Sequence, residues 1–448
     1  MVFKIIFTTL KESVPKIIFM KIGLVSLGCA KNLVDSEILL GKLRSAGVEI
    51  TPNPEEADVI IINTCGFIEP AKLESIETVL EFIDRGKEVI VVGCLVERYK
   101  EELKKEIPEV KAYFGTESWS KILEYLGLKE DRFSFRLLTT PKSYAYLKIA
   151  EGCNRLCSFC AIPKIRGKHR SRTIEDIAEE AKKLAQMGIK ELCIVSQDTT
   201  YYGKDIYREY KLIDLLKELE KIEEIKWIRL LYLYPTEVHK ELIDYISESQ
   251  KVVPYFDIPI QHISDKVLRD MRRGYNGQFV RSLLENIRKK IPNAVFRTSV
   301  IVGFPTEEEK DFNELVNFIQ EGYFHWLGVF IYSHEEDTPA YSFSDKVPQE
   351  VKEERKEILM EIQKEITKKK NSEFLNRELE VIVEGYDEEF SFVPKGRAFF
   401  QAPEVDGTIY IETENSLKPG DVIKVKIYQA IDYDLAGRDL STEGCELV

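Results

Sequence analysis

Three segments of this chain, KIGLVSLGCAKN, DVIIINTCGFIE and EVIVVGCLVERY, each run through a β-branched apolar stretch into a cysteine and then into a helical pattern. Short apolar runs that alternate with helices mark buried parallel strands of an α/β sheet. Such sheets collect ligands outside the carboxyl ends of their strands. Cys29, Cys65 and Cys94 are therefore expected to converge on one edge. Their separations of 36 and 29 residues each match a strand-helix-strand unit, so topology rather than a local loop would bring the thiols together. The bland alternative is three core cysteines packed as small hydrophobes, although nothing in core packing requires a cysteine at the same point of each unit.

The chain has 448 residues, which at about 100–200 residues per domain gives two to four domains. The first is read over 20–137, with helices predicted over 35–46, 70–85 and 96–106. From residue 144 the pattern restarts: apolar runs over 144–150, 191–196, 227–233, 255–260, 295–302 and 328–332 alternate with helical stretches over 174–186, 212–222, 237–247, 278–290 and 307–321. Right-handed crossovers of this number favour a partial (β/α)6 barrel over 139–370. The charged run QEVKEERKEILMEIQKEITKKK at 349–370 reads as a solvated helix leading to the next domain. Beyond it ELEVIVEG, RAFFQAP, GTIYIET and DVIKVKIYQAI are short alternating strands parted by turn residues, the pattern of a small antiparallel β-barrel over 373–441. The fold class is α/β: an N-terminal parallel domain, a central partial barrel and a C-terminal antiparallel barrel. Residues 1–19 precede a second methionine, Met20, and read as an N-terminal extension without legible chemistry.

A second cysteine group, Cys153, Cys157 and Cys160 in EGCNRLCSFCAIP, follows the first strand of the predicted barrel and so belongs at its carboxyl-end mouth. It supplies three thiolates and no obvious fourth. Structural zinc closes a shell of four ligands, whereas a 4Fe–4S cluster on three thiolates keeps one iron open to a small molecule. A Cys3His zinc site that borrows His169 is the alternative. Cys193 and Cys445 read as packing or incidental residues.

Composition limits the partners. No apolar run approaches the 18 residues of a membrane span, and the lysine-interrupted first residues make a poor signal peptide, so a cytoplasmic enzyme without a membrane partner is expected. The formal net charge is −13, and over 376–448 there are 16 Asp and Glu against 7 Lys and Arg, a local balance of −9. An RNA-gripping barrel normally presents Lys and Arg, so this balance favours a basic protein as the partner.

The stretch EGCNRLCSFCAIPKIRGKHRSR, with Phe159 before its last cysteine, resembles the cluster motif of the radical S-adenosylmethionine (SAM) superfamily. From Met20 onward the chain resembles the methylthiotransferases of that superfamily. SLGCAKNLVDSE at 26–37, CAIPKIRG at 160–167, FDIPIQH at 256–262 and QAPEVDG at 401–407 are similar to its RimO-type ribosomal enzymes. The resemblance implies a C-terminal TRAM barrel and two 4Fe–4S clusters, the first on Cys29, Cys65 and Cys94. The second, on Cys153, Cys157 and Cys160, would bind SAM. It also implies cleavage of one SAM to a 5′-deoxyadenosyl radical, a second SAM as methyl donor, and an external electron donor. The acceptor would be the β-carbon of an aspartate in small-subunit ribosomal protein twelve. A tRNA adenosine methylthiotransferase is the alternative, and a non-catalytic iron–sulfur or zinc module is a third reading.

Several further residues are candidates for SAM contacts: Gln197, Asp198 and Thr199 after the second barrel strand, Arg297 and Ser299 on the fifth, and the turn at 303–306. Helix capping or barrel packing would use the same residues. The basic stretch Arg166, Lys168, His169, Arg170 and Arg172 reads as a solvated loop or as a site for a substrate acid or phosphate. Gln261 and His262 follow the fourth strand, His262 as a supporting or purely structural group.

Overall fold

A computed structural model describes residues 20–131, 134–387, 389 and 392–442; the 1–19 extension and Cys445 lie outside the described residues. The N-terminal domain is a parallel sheet of β1 (Lys21–Ser26), β2 (Glu49–Ile50), β3 (Val59–Thr64), β4 (Glu88–Gly93) and β5 (Ala112–Phe114), in the order β2-β1-β3-β4-β5. Helices α1 (Ala30–Ser45), α2 (Glu69–Asp84), α3 (Cys94–Glu106) and α4 (Trp119–Tyr125) cover it. Every residue of β3 is buried, as a central strand covered on both faces requires.

The central domain carries β6 (Tyr144–Lys148), the short antiparallel pair β7 (Ala150–Glu151) and β8 (Arg170–Ser171), α5 (Ile162–Ile165), α6 (Ile174–Gln186), β9 (Glu191–Val195), α7 (Leu212–Glu220) and β10 (Trp227–Leu230). It continues with α8 (Lys240–Glu248), β11 (Tyr255–Asp257), α9 (Asp265–Asp270), α10 (Gly277–Lys290), β12 (Val295–Val302), α11 (Glu309–Gln320) and β13 (Trp326–Ile331). The six predicted strands are present, yet they form two parallel three-stranded sheets, β6-β9-β10 and β11-β12-β13. An isolated bridge between Ile228 and Val252 and a bond from Leu233 N to Asp257 O (2.8 Å) join the two sheets edge to edge. Alternate residues divide the barrel's faces: Ala145 and Leu147 pack on the surrounding helices, whereas Tyr144 and Tyr146 pack with the C-terminal barrel.

Helix α12 (Gln349–Ser372) corrects the reading of a solvated linker. Lys352, Arg355, Leu359, Gln363, Thr367 and Asn371 form a buried stripe at helical spacing. Arg355 pairs with Glu307 (2.6 Å), Gln363 donates to the carbonyls of Phe324 and His325 (both 3.2 Å), and Thr367 donates to His325 O (2.8 Å).

The C-terminal strands β14 (Glu378–Tyr386), β15 (Pro394–Arg397), β16 (Ile409–Glu412), β17 (Val422–Ile431) and β18 (Asp434–Asp439) close a barrel in the order β14-β15-β16-β18-β17. Its β16–β18 pair is parallel, so the barrel is not wholly antiparallel, and β18 was absent from the sequence reading. RAFFQAP leaves the strand after Arg397 and becomes a docking loop. Glu404 accepts from the Tyr144 and Tyr146 hydroxyls (2.8 and 2.9 Å), Asp406 accepts from the Tyr255 hydroxyl (2.6 Å), and Phe400 O accepts from Trp326 Nε1 (2.7 Å). Glu191 is held by Arg229 (2.6 Å) and by Arg397 of the C-terminal barrel (2.8 Å). These partners lie at or near the amino ends of the central strands. The small barrel therefore closes that end and leaves the carboxyl end to the cysteines. No helix among the described residues is long and apolar enough to cross a membrane.

Candidate functional site

All six clustered cysteines line one cavity of about 370 Å³ at the carboxyl ends of both sheets. In the first triad Cys29 caps α1, Cys65 follows β3 and Cys94 opens α3. Two glycines permit the close approach. Gly28 has φ +89°, and a Cβ there would fall 2.8 Å from Cys65 Cβ; Gly93 has φ +99°, and a Cβ there would fall 2.3 Å from Asn63 Oδ1. Asn32 staples the loops by donating to Leu27 O (2.9 Å) and Thr64 O (3.1 Å). The second triad lies in the loop between β7 and β8. Cys153 N donates to Gly167 O (3.1 Å), and Ser158 ties the loop to the end of α9 through Met271 O (3.0 Å) and Asp270 O (2.7 Å).

Cations reach the sulfurs, one of them across the domain seam. Arg166 of the central domain donates to Cys94 Sγ (3.3 Å) and to Asn32 Oδ1, and it pairs with Asp35 (2.8 Å) and Glu151 (3.0 Å). Lys148 pairs with the same two carboxylates. Burial alone would raise the Glu151 carboxyl, yet Lys148 and Arg166 bring it down to about 2. Arg273 donates to Cys157 Sγ (3.1 Å), and Arg155 lies 3.8 Å over the Tyr234 ring while paired with Asp198 (2.7 Å) and Glu237 (2.9 Å).

Burial pushes the thiols of Cys65 and Cys160 up, that of Cys153 to about 11 and that of Cys94 to about 12. Cys29 is open to the cavity but ringed by protein. Burial again acts upward, and Lys31 and Arg166 outweigh it, leaving this thiol below its ordinary value. Buried thiols of this kind are inert as free groups and are deprotonated outright when they bind a metal. Among the described residues no three His, Cys, Asp or Glu side chains are gathered tightly enough for a single metal ion. Three thiols in each triad are, by their chemistry, the donor set of a cluster that gives each thiolate its own iron. His169, which the zinc reading required, lies 3.1 Å from Ser171 Oγ through Nε2, packs edge-on against Tyr201 and does not line the cavity.

Of the other predicted site residues, Phe159 and Gln197 line the cavity, and Gln197 donates to Glu151 (2.9 Å). Asp198 stands behind Arg155 and also caps the short turn Thr199–Tyr201, so its capping role is present too. Thr199 is buried and donates to Leu231 O (2.6 Å). Arg297 and Ser299 are not brought to the cavity. Arg297 lies two residues from the amino end of the docked sheet and turns to Asp406 (2.5 Å), while the Ser299 carbonyl accepts from Gln261 N (2.9 Å). The turn at 303–306 is bound up with Glu307, which accepts from Gly303 N (2.9 Å). Gln261 lines the cavity at φ 71°, whereas His262 is fully buried, accepts from Ser264 N (3.0 Å) and is structural. Sequence reasoning missed Lys31, Asn32, Tyr232, Tyr234 and Arg273. Only Lys31 and Asn32, beside the first cysteine, carried a local signal.

Residues 147–319 match the radical SAM superfamily, residues 21–115 match the uncharacterized protein family UPF0004, and residues 377–439 match the TRAM domain. Among solved structures the fold resembles the radical SAM methyltransferase TsrM from Kitasatospora setae, with TM-score 0.52 and 12% identity over 70% of this chain and 73% of that one. It also resembles the cobalamin-dependent radical SAM enzyme OxsB, with TM-score 0.50 and 13% identity over 77% and 56% of the two chains. Fold and site together define a radical SAM enzyme. The ribosomal protein uS12 methylthiotransferase RimO of Aquifex aeolicus (strain VF5) is 74% identical over 96% of this chain and 99% of its own length, and that of Sulfurihydrogenibium sp. (strain YO3AOP1) is 52% identical over 93% and 99%. The chain belongs to this family, the RimO-type radical SAM methylthiotransferases.

Proposed function

We propose that this methylthiotransferase modifies the β-carbon of an aspartate of ribosomal protein uS12, giving 3-methylthioaspartate. We further propose that it holds two 4Fe–4S clusters, one on Cys29, Cys65 and Cys94 and one, the SAM-binding cluster, on Cys153, Cys157 and Cys160. The observation that carries this reading is the convergence of both triads on one cavity at the barrel mouth. When bound, the clusters and SAM supply the one-electron cleavage, the activation of an inert C–H bond, and the sulfur and methyl group.

The chain's own residues hold and shield that chemistry. Arg166 and Arg273 donate to one sulfur of each triad, the kind of outer contact that orients ligands and sets cluster potential. Phe159, Tyr234 and Phe330 give the cavity apolar surface. Phe159 and Gln197 are the residues proposed to face SAM, with Asp198 acting through Arg155. The functional division of the chain follows at 20–137, 139–370 and 373–441.

The acidic C-terminal barrel suits a basic protein such as uS12, in the cytoplasm where ribosomal subunits assemble, with an electron donor as second partner. It disfavours the tRNA adenosine alternative. The test is anaerobic incubation with SAM, reductant and sulfide, offering uS12 and bulk tRNA together, followed by mass spectrometry of peptides and nucleosides. A methylthio gain on an aspartyl peptide is expected. A gain on adenosine, or reconstitution of a single cluster, would overturn the corresponding part of the proposal.

A further inference from the structure

Among the described residues four cations line the cavity, Lys31, Arg155, Arg166 and Arg273. Three are committed. Arg155 and Arg166 are each paired with two carboxylates, and Arg273 donates to Cys157 Sγ, Pro259 O (2.7 Å) and the Tyr275 hydroxyl (2.8 Å). Lys31 differs. It is 7% exposed and lies in the first turn of α1, and its Nζ stands 3.6 Å over the ring of Tyr232 from the central domain. No carboxylate among the described residues lies within ion-pair distance of it. A buried ammonium without a carboxylate is costly, and its two neighbours, the Tyr232 ring face and the Cys29 sulfur, recover only part of that cost. Tyr232, which supplies the ring, is itself held at φ 61°, a conformation that non-glycine residues rarely adopt. The cavity thus keeps a buried, preorganised positive charge for an incoming anion.

We propose that Lys31 takes the side-chain carboxylate of the substrate aspartate and so places the adjacent β-carbon between the two triads. This rests on the uS12 reading above. In aspartate the carboxylate and the methylene to be modified are separated by a single bond, so holding one locates the other. An asparagine or an adenine ring in the same place would leave the ammonium with only the Tyr232 ring and the Cys29 sulfur, and discrimination against both follows from the lost ion pair. The charge on Nζ selects the substrate; Arg166 and Arg273, already engaged with sulfur and backbone, do not.

The test compares uS12 with a form whose modified aspartate, identified by mass spectrometry, is replaced by asparagine. Each is titrated into the reconstituted full-length enzyme with SAM and no reductant, so that binding is read without turnover. The wild-type enzyme is expected to prefer the aspartate form by about 30-fold, as for a buried hydrogen-bonded charge pair. Lys31→Met should bring that ratio close to one, and Lys31→Arg should restore most of it. Iron content and SAM affinity are measured on each variant. A Lys31→Met enzyme that keeps the wild-type ratio overturns the proposal. If it loses SAM affinity instead, the ammonium belongs to SAM's carboxylate; if only the cluster signals change, the ammonium belongs to the first cluster. A wild-type enzyme that cleaves SAM but binds neither form of uS12 overturns the substrate reading itself, whatever Lys31 does.

Discussion

Gly28 shapes the first triad as much as the cysteines do. A left-handed φ of +89° costs an alanine about 1 kcal/mol, and its methyl would press on Cys65 Cβ at 2.8 Å. Gly28→Ala is therefore expected to lower iron and sulfide by about half while SAM cleavage at the second triad survives, as iron assay and product analysis would show. Cys65→Ala should do the same and abolish methylthio insertion completely. The cysteines were legible because each ends an apolar strand, and strand ends in a parallel sheet share an edge. Arg166 was not legible. Its run of basic neighbours reads as a solvated loop, yet it is 4% exposed and meets Asp35 across 131 residues of chain. Arg170 and Arg172 likewise find Glu117 and Glu180, pairings that local sequence does not announce.

Among the elements, the parallel strands and their helices were readable from period and β-branching. The misses share a physical cause. Strand β18 reads DLAGRD, poor in β-branched residues, and is held by its two neighbours rather than by its own propensity. Helix α12 buries amide, hydroxyl and guanidinium groups, so a hydropathy pattern shows no buried face. Gln363 answers two backbone carbonyls just before β13, and Gln363→Leu would leave Phe324 O without its donor and His325 O with Thr367 alone. A loss of about 1–3 kcal/mol in unfolding free energy, read from the urea midpoint, is the expected result.

Across the whole molecule the C-terminal barrel is fastened through a buried ion triad. Burial acts to raise the Glu191 carboxyl, but Arg229 and Arg397 hold it below its ordinary 4.5. A depressed folded value means that the stabilisation is present above about pH 4.5 and fades as pH falls below it. Glu191→Gln should cost about 3–5 kcal/mol at neutral pH, and the variant should lose stability less steeply than the wild type on acidification, as denaturant titrations at several pH values would reveal. The C-terminal segment 376–448, which contains this barrel, carries the local charge of −9, so association with uS12 is expected to slow as salt rises, measured by stopped-flow at graded ionic strength. Arg166, anchored in the central domain, completes the sulfur site of its neighbour by reaching Asn32, Asp35 and Cys94. The cut that separates two folded units is thus not the cut that separates two units of chemistry. An N-terminal domain grafted from a distant relative must bring its own counterparts of Asn32 and Asp35 to meet that arginine. A chimera that keeps every strand and every cysteine but lacks those two residues would be a well-folded protein with a crippled first triad.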